Sequence, residues 1–319
     1  MIWLYLLIFI ASCLALPWLG SILVDSLIKI AKFLKWREFI VAFFVMAFAT
    51  SIPNLFVDIS AVLHGLPQLA FGDILGGNMV DLSLVLALAV FLTHGNLSTG
   101  SRMVQTSALF TTAIVLLPLL LISDGNLSRG DGLVLIFAFL FYTFWIFSKE
   151  DRFKKIYDNK ERKSIAGVID FFKSLLKIVF LLGMLLLASE GIIKSAQFFS
   201  ISFNIPLSII GILIVGLANC FPEIYFIFIS AKKNQNWMIL GDIMGSVIVC
   251  ATLVLGIVAL VSPFEIKDFS PFITARIFTV IAAFFFLLVV KTGQKITKKE
   301  GLFLLFLYIA FLITEIFLR

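Results

Sequence analysis

Charge is what this chain has least of. Asp, Glu, Lys and Arg make up 14% of its 319 residues, where about 25% is usual for a soluble domain. With so little polar surface to cover its apolar residues, the chain cannot be a soluble globular protein, and it lacks the high charge of a disordered one. Cysteine is almost absent. Cys13, Cys220 and Cys250 lie in separate apolar runs, which excludes a disulfide framework. Only His64 and His94 represent histidine, too few for the clustered ligands of an intramembrane metalloprotease. Glycine numbers 20 with no short period, so the chain is not collagen-like. No nucleotide-binding motif or soluble module interrupts it. What remains is apolar: 61% hydrophobic residues, 36 of them Phe, and a mean hydropathy of +1.12. The runs are continuous and about 20 residues long, which fits membrane-spanning helices and not the short alternating segments of a β-barrel.

Ten such runs can be drawn, over 2–24, 39–63, 68–92, 104–122, 132–148, 170–193, 206–230, 237–261, 271–290 and 301–318. The one long polar connector falls between the fifth and the sixth. The expected layout is therefore an all-α membrane protein. Residues 1–148 form a first set of five helices, 149–165 a solvated linker and 166–319 a second set. Lys and Arg favour the cytoplasmic side. With the N-terminus outside, the inner connectors carry Lys29, Lys32, Lys35, Arg37, Arg102, Lys232, Lys233, Lys291, Lys295, Lys298, Lys299 and the seven basic residues of the linker, whereas the outer ones carry only Arg129, Lys267 and Arg319. Both termini are thus expected outside and the central loop in the cytoplasm. The net charge of +6 is a topology signal, and no nucleic-acid partner is needed to explain it. The partner the composition does require is a lipid bilayer; oligomeric state is not legible. No basic residue precedes the first run, so it reads as a retained span and not a cleaved signal peptide.

The sequence also matches itself. Shifted by 169 positions, residues 49–86 fall on 218–255 without a gap, and Pro53/Pro222, Gly72/Gly241, Asp73/Asp242 and Gly76/Gly245 are among ten identical pairs. Five helices is an odd number, so the second copy enters the membrane from the opposite side. Two inverted-topology five-helix repeats are the architecture of many secondary transporters. Each copy places a proline mid-span, in Ala49-Thr50-Ser51-Ile52-Pro53-Asn54 and in Ala218-Asn219-Cys220-Phe221-Pro222-Glu223. Proline cannot donate to the carbonyl four residues back. In hydrocarbon the freed carbonyl needs a partner, either a nearby hydroxyl or a bound cation.

Seven acids lie in or at the edge of apolar spans: Asp25, Asp58, Asp73, Asp81, Glu190, Glu223 and Asp242. A central charge costs about 2.5–3.5 kcal/mol on insertion scales, so each is a functional candidate. Few bases lie at comparable depth, and Lys194 and Arg276 are near span ends. Most of the acids must then be neutralised by protons or by a bound cation. Thr50, Asn54 and Asp58 share one helical face, as do Asp73, Gly77 and Asp81; in the copy, Asn219 pairs with Glu223, and Asp242 with Ser246 and Cys250. Helix depth puts Asn54, Asp81, Glu223 and Cys250 near the midplane, Asp58 and Asp73 toward the outer side and Asp242 toward the inner. Other readings stand beside these. Asp25 and Glu190 fit span ends reaching for the interface. Asp73 and Asp242 follow glycines and fit caps on broken helices. His64 fits a solvated outer turn.

These motifs resemble the cation/calcium exchanger superfamily, most closely its small prokaryotic sodium/calcium exchanger-like members. Those proteins carry Gly-Thr-Ser-x-Pro-Glu on the second helix of each half and Gly-Asn-x-x-Gly-Ser on the third. Here the counterparts of the latter are Gly72-Asp73-Ile74-Leu75-Gly76-Gly77 and Gly241-Asp242-Ile243-Met244-Gly245-Ser246. The resemblance implies alternating-access exchange of calcium or another divalent cation for sodium or protons, with no cofactor and no enzymatic activity. It implies Glu223 as a calcium ligand and Asn54 where the family has the second glutamate. Thr50, Ser51 and Ser246 match hydroxyl ligands, Ala47 and Gly216 match backbone-carbonyl ligands, and Gly77 lacks the hydroxyl. One turn further, where the family commonly has Asn and then Asp, this chain has Asp81 and Cys250. A central acid pair, Asp81 and Glu223, is therefore expected to bind the divalent ion, with Asn54, Thr50, Ser51, Asn219 and Ser246 supplying neutral oxygens and Asp58, Asp73 and Asp242 adding charge off centre. Cys220 and Cys250 at site positions leave open a softer transition metal. A poorly solvated carboxylate binds protons readily, which leaves proton coupling open. A transport-inactive sensor or scaffold of the same fold is the remaining alternative.

Overall fold

Inside a bilayer a chain must satisfy its own backbone polar groups, and for long apolar runs the helix is the way to do so. The computed structural model describes residues 1–33, 46–93, 96–148, 165–232, 236–266 and 268–317. The linker expected at 149–165 lies outside the described residues except for its last position, as do the side chains of Asp25, Ala47 and Thr50 and all of His94. The first half comprises α1 (Ile2–Phe33), α2 (Met46–Leu63), α3 (Pro67–Leu92), α4 (Arg102–Leu121) and α5 (Arg129–Ser148). The second comprises α6 (Ile165–Phe203), α7 (Leu207–Lys232), α8 (236–261), α9 (Ile273–Thr292) and α10 (Lys298–Phe317). Among the described residues, nine helices are long and apolar enough to cross a membrane; α2 shows a shorter apolar stretch, Ser51–Leu63.

The halves repeat in detail. Capping boxes open the fifth helix of each: Ser128 with Asp131 before α5, and Thr297 with Glu300 before α10. In both, the acid accepts from the backbone amide of the Ser or Thr, whose hydroxyl accepts in return. Gly132 of α5 packs on Gly256 of α8, while Gly301 of α10 packs on Val90 and Ala87 of α3. Each fifth helix thus lies against the third helix of the other half, so the repeats interlock. Two short antiparallel ribbons tie the loops. Strand β1 (Leu97–Ser98) pairs with β4 (Lys295–Ile296), and β2 (Asn126–Leu127) with β3 (Phe264–Glu265). Each ribbon joins loops that a ten-span path brings to the same face.

Helices α3 and α8 form the interior. Their apolar windows are 78% and 83% buried, against 39% for α1 and 33% for α6. The last two pack along each other. Tyr5 stacks on Phe198 with ring centroids 4.1 Å apart, the Ser195 hydroxyl donates to the Tyr5 carbonyl at 3.1 Å, and Gly191 leaves room for the Ser12 hydroxyl. Their outer faces expose Trp3, Leu7, Trp18, Leu176, Phe180 and Leu187, as hydrocarbon contact requires.

Several local features differ from the sequence expectation. Helices α1 and α6 overrun their apolar cores by a turn or more, because the flanking polar residues include no helix breaker; α6 ends only at Asn204, in the left-handed region at φ 54, with Pro206 behind it. The two motif prolines act differently: α2 runs unbroken through Pro53, while α7 breaks at Cys220, before Pro222. Neither Asp73 nor Asp242 caps a helix. Each lies six residues inside a continuous one, which overturns the capping reading. Among the described residues, three π turns depart from the sequence expectation: Asp81–Val85, Ile210–Val215 and Val249–Val254. The first and third occupy equivalent repeat positions, and such turns mark functional sites often.

Candidate cation-binding site

The site begins with glycine. Helices α3 and α7 cross so closely that a Cβ at Gly72 would lie 2.7 Å from the Ser208 carbonyl, and one at Gly216 would lie 2.8 Å from the Gly77 amide. Backbone meets backbone there, which only residues without a side chain permit. The crossing sets Asp73, Gly77 and Asp81 of α3 against Asn219, Cys220 and Glu223 of α7. The Asn219 amide donates to Asp73, and the Cys220 thiol reaches the Gly77 carbonyl at 3.5 Å. Helices α2 and α8 meet correspondingly: the Asn54 amide contacts the Cys250 sulfur at 3.5 Å.

At the centre, the Ser246 hydroxyl of α8 donates to Glu223 Oε1 at 2.9 Å, with Asp81 close by. Asp81 and Glu223 therefore approach each other from opposite repeats. They are 3% and 0% exposed, so neither faces lipid. Asp242 is close enough to feel both charges. Ser51 lies against the Cys250 thiol. Asp58 and Asp73 line the same cavity. A cavity between these groups is lined by Asn54, Asp58, Asp73, Asn78, Asp81 and Cys250 among others, and about 10 Å³ of it admits the centre of a water-sized sphere, room for about one water or a bare ion.

Ten buried side-chain oxygens in this region receive no hydrogen: Ser51 Oγ, Asn54 Oδ1, both of Asp58, Asn78 Oδ1, Asp81 Oδ1, Asn219 Oδ1, Glu223 Oε2 and both of Asp242. Buried acceptors without a partner cost about 1–3 kcal/mol each, and buried carboxylates that repel one another need protons or cations between them. Among the described residues, no three His, Cys, Asp or Glu side chains are arranged to hold a metal by themselves. Any cation here would take carboxylates in pairs and complete its shell with neutral oxygens.

The structure thus brings together Asn54, Asp58, Asp73, Asp81, Asn219, Glu223, Asp242, Ser246 and Cys250, with Ser51 at the edge. The side chain of Thr50 lies outside the described residues. Asn78 is a lining residue the helical stripe missed. It is three residues before Asp81, a spacing that also shares a face. Glu190 stands apart, accepting from the Ser60 hydroxyl at 2.6 Å with His64 at 3.5 Å and Lys194 at 3.9 Å. The exposed turn histidine is therefore paired as well as solvated, since α6 carries Glu190 past the end of α2.

Interlocked inverted repeats with orphaned oxygens at their crossing define a secondary cation transporter. Comparison with known proteins agrees. The chain belongs to the sodium/calcium exchanger protein family, whose profile matches residues 4–148 and 173–317. Sodium/calcium exchanger MaX1 of Methanosarcina acetivorans is 22% identical over 325 residues, covering 91% of this chain and 92% of the relative. Inner membrane protein YrbG of Escherichia coli is 27% identical over 237 residues, 72% of each chain. A solved structure of the sodium-calcium exchanger NCX_Mj shares the fold, with a TM-score of 0.69 at 22% identity over 98% of this chain and 99% of that one. The protein is a multi-pass membrane cation antiporter, not an enzyme.

Proposed function

We propose that this antiporter carries a divalent cation, calcium in the first instance, in exchange for sodium or protons. The observation that supports this reading most is the buried pair Asp81 and Glu223 approaching each other from opposite repeats, with Ser246 bonded to Glu223 and unpartnered oxygens around them. Two carboxylates neutralise one divalent ion. Asn54, Ser51, Thr50, Asn219 and Ser246 supply neutral oxygens, and Asp242 adds charge beside them. Counter-ions compete for the same carboxylates as the site opens to one face and then the other. The basic-residue distribution supports both termini outside and the 149–165 loop in the cytoplasm. A second reading, a softer divalent cation, rests on the Cys220 and Cys250 thiols at the cavity.

The test is flux in reconstituted vesicles. Ca²⁺, Mn²⁺, Zn²⁺ and Mg²⁺ uptake is measured under imposed sodium or proton gradients, for wild type, Asp81→Asn and Glu223→Gln. Gradient-driven Ca²⁺ flux that both substitutions abolish is the result expected. Equal flux in all three proteins removes this pair from the mechanism, and no flux or metal binding in wild type leaves a sensor or scaffold.

A further inference from the structure

We propose that His64 and Glu190 form a binding site for a divalent transition-metal ion such as zinc, bridging the two repeats away from the central cavity. The fold delivers both residues to one place. Helix α2 ends where Gly65 takes the left-handed region at φ 72 and the Leu66 amide bonds back to the Ala61 carbonyl, which leaves His64 at its last turn. Helix α6 runs past that end and carries Glu190 alongside. The two side chains are 36% and 35% exposed, so an ion can enter and water can complete its shell.

Each ligand is already oriented from behind. His64 Nδ1 lies 2.8 Å from the Ser60 carbonyl oxygen. A carbonyl only accepts, so Nδ1 carries the hydrogen, and Nε2 of the neutral ring turns its lone pair toward Glu190 Oε2, 3.5 Å away. The other carboxylate oxygen, Oε1, accepts from the Ser60 hydroxyl at 2.6 Å. A histidine whose second nitrogen donates to a backbone carbonyl, beside a carboxylate that is itself hydrogen-bonded, is the arrangement that supports metal ligands. Two acceptors facing each other call for a positive guest between them. The separation selects a metal over a proton. A charge-assisted N–H···O bond spans about 2.7–2.9 Å, whereas zinc bonds of about 2.0–2.2 Å at a tetrahedral angle hold their ligands about 3.3–3.5 Å apart. Mixed imidazole and carboxylate ligation suits zinc and its neighbours, while calcium and magnesium take oxygen. Lys194 Nζ, 3.9 Å from Oε2 and 64% exposed, is the competing charge, with room to swing into water.

Two protein ligands make a weak, reversible site, and its placement gives it a consequence. His64 belongs to the first repeat and Glu190 to the second. Alternating access moves one such unit against another, and an ion holding α2 to α6 opposes that motion. Zinc bound here slows exchange without entering the transport path. The effect on transport rests on the exchange reading above; the binding does not.

The test is calorimetric titration of the purified full-length protein with ZnCl₂, with thermal unfolding of each variant as the check on folding. Wild type is expected to show a class of zinc site that His64→Gln and Glu190→Gln each lose, its half-saturation shifted at least about tenfold, at an unchanged melting temperature. Lys194→Met, relieved of the nearby ammonium, binds zinc more tightly. In vesicles, ZnCl₂ slows gradient-driven Ca²⁺ flux in wild type and leaves His64→Gln unaffected. No zinc binding in wild type overturns the proposal, as does zinc binding that both substitutions leave unchanged, the result if Cys220 and Cys250 alone held the ion. Zinc that binds through His64 yet leaves wild-type flux untouched retains the site and overturns its effect on transport. Absence of Ca²⁺ flux in wild type strikes the exchange reading instead, and the titration then decides the metal site by itself.

Discussion

Gly76→Ala isolates the helix crossing on which the site depends. A Cβ at Gly76 would run into the Ile212 carbonyl oxygen and lie 2.7 Å from the Ile212 Cα and 2.8 Å from its carbonyl carbon. All three obstacles are backbone, so no rotamer change relieves them and α3 must part from α7. Overpacking a close-packed interior costs about 1–3 kcal/mol. The upper end applies here, offset by about 1 kcal/mol of helix propensity gained with alanine. Gly183→Ala is the matched control: it lies in α6, with nothing within 4 Å of the added carbon, and keeps the propensity gain. Thermal unfolding in detergent should rank Gly183→Ala at or above wild type and Gly76→Ala clearly below it. Because α3 carries Asp73 and Asp81 and α7 carries Asn219 and Glu223, the same displacement should weaken Ca²⁺ binding in Gly76→Ala by at least about tenfold, or 1.4 kcal/mol. Equal stability and equal affinity in the two alanine variants would show that the crossing is not as close as described, and that the acids are positioned by something else.

Three further outcomes follow from particular contacts. Ser246→Ala removes a hydroxyl bonded to a buried carboxylate, a loss of about 1.5–3 kcal/mol, and calorimetry should find Ca²⁺ affinity lower by about ten- to a hundredfold; an unchanged affinity detaches Ser246 from the ligand set. Cys250→Ser keeps a small polar side chain beside Asn54, so Ca²⁺ flux should persist; loss of Ca²⁺ flux, or Zn²⁺ flux in wild type that the serine variant lacks, favours the softer metal. Thr297→Ala breaks the capping box of α10 and should lower stability by about 1 kcal/mol with ion affinity intact, read by thermal unfolding alongside calorimetry; a large affinity change would mean that the box reaches the site.

The layout was legible because bilayer physics leaves marks on sequence. Apolar length gave the helices, and the glycine, aspartate and proline shared at one register gave the repeat. The i, i+4 rule was enough to put Asn54 and Asp58 on one face, and Asp73 and Asp81 on another. It missed Asn78, which belongs to the i, i+3 set of Asp81, and it could not foresee the π turn that starts at Asp81. Depth along a helix placed Asp58 and Asp73 off centre, yet it could not show that they line one cavity, since that depends on how α2 and α3 rotate. The capping reading of Asp73 and Asp242 failed because a glycine before an aspartate imitates a helix start, whereas both aspartates lie inside continuous helices and Gly72 serves the close crossing of α3 and α7. The ion itself left the faintest trace: Asn54 and Cys250 stand where related motifs carry acids, and sequence alone weighs their loss against Asp81 only roughly.

The most direct measurement is a crystal of the full chain soaked in Sr²⁺, an anomalous scatterer that stands in for calcium. A peak bounded by Asp81, Glu223 and Ser246, with oxygens at or slightly beyond the about 2.3–2.6 Å typical of calcium, is the result this account predicts. A crystal with no peak there, or with its strontium held elsewhere in the protein, would contradict it.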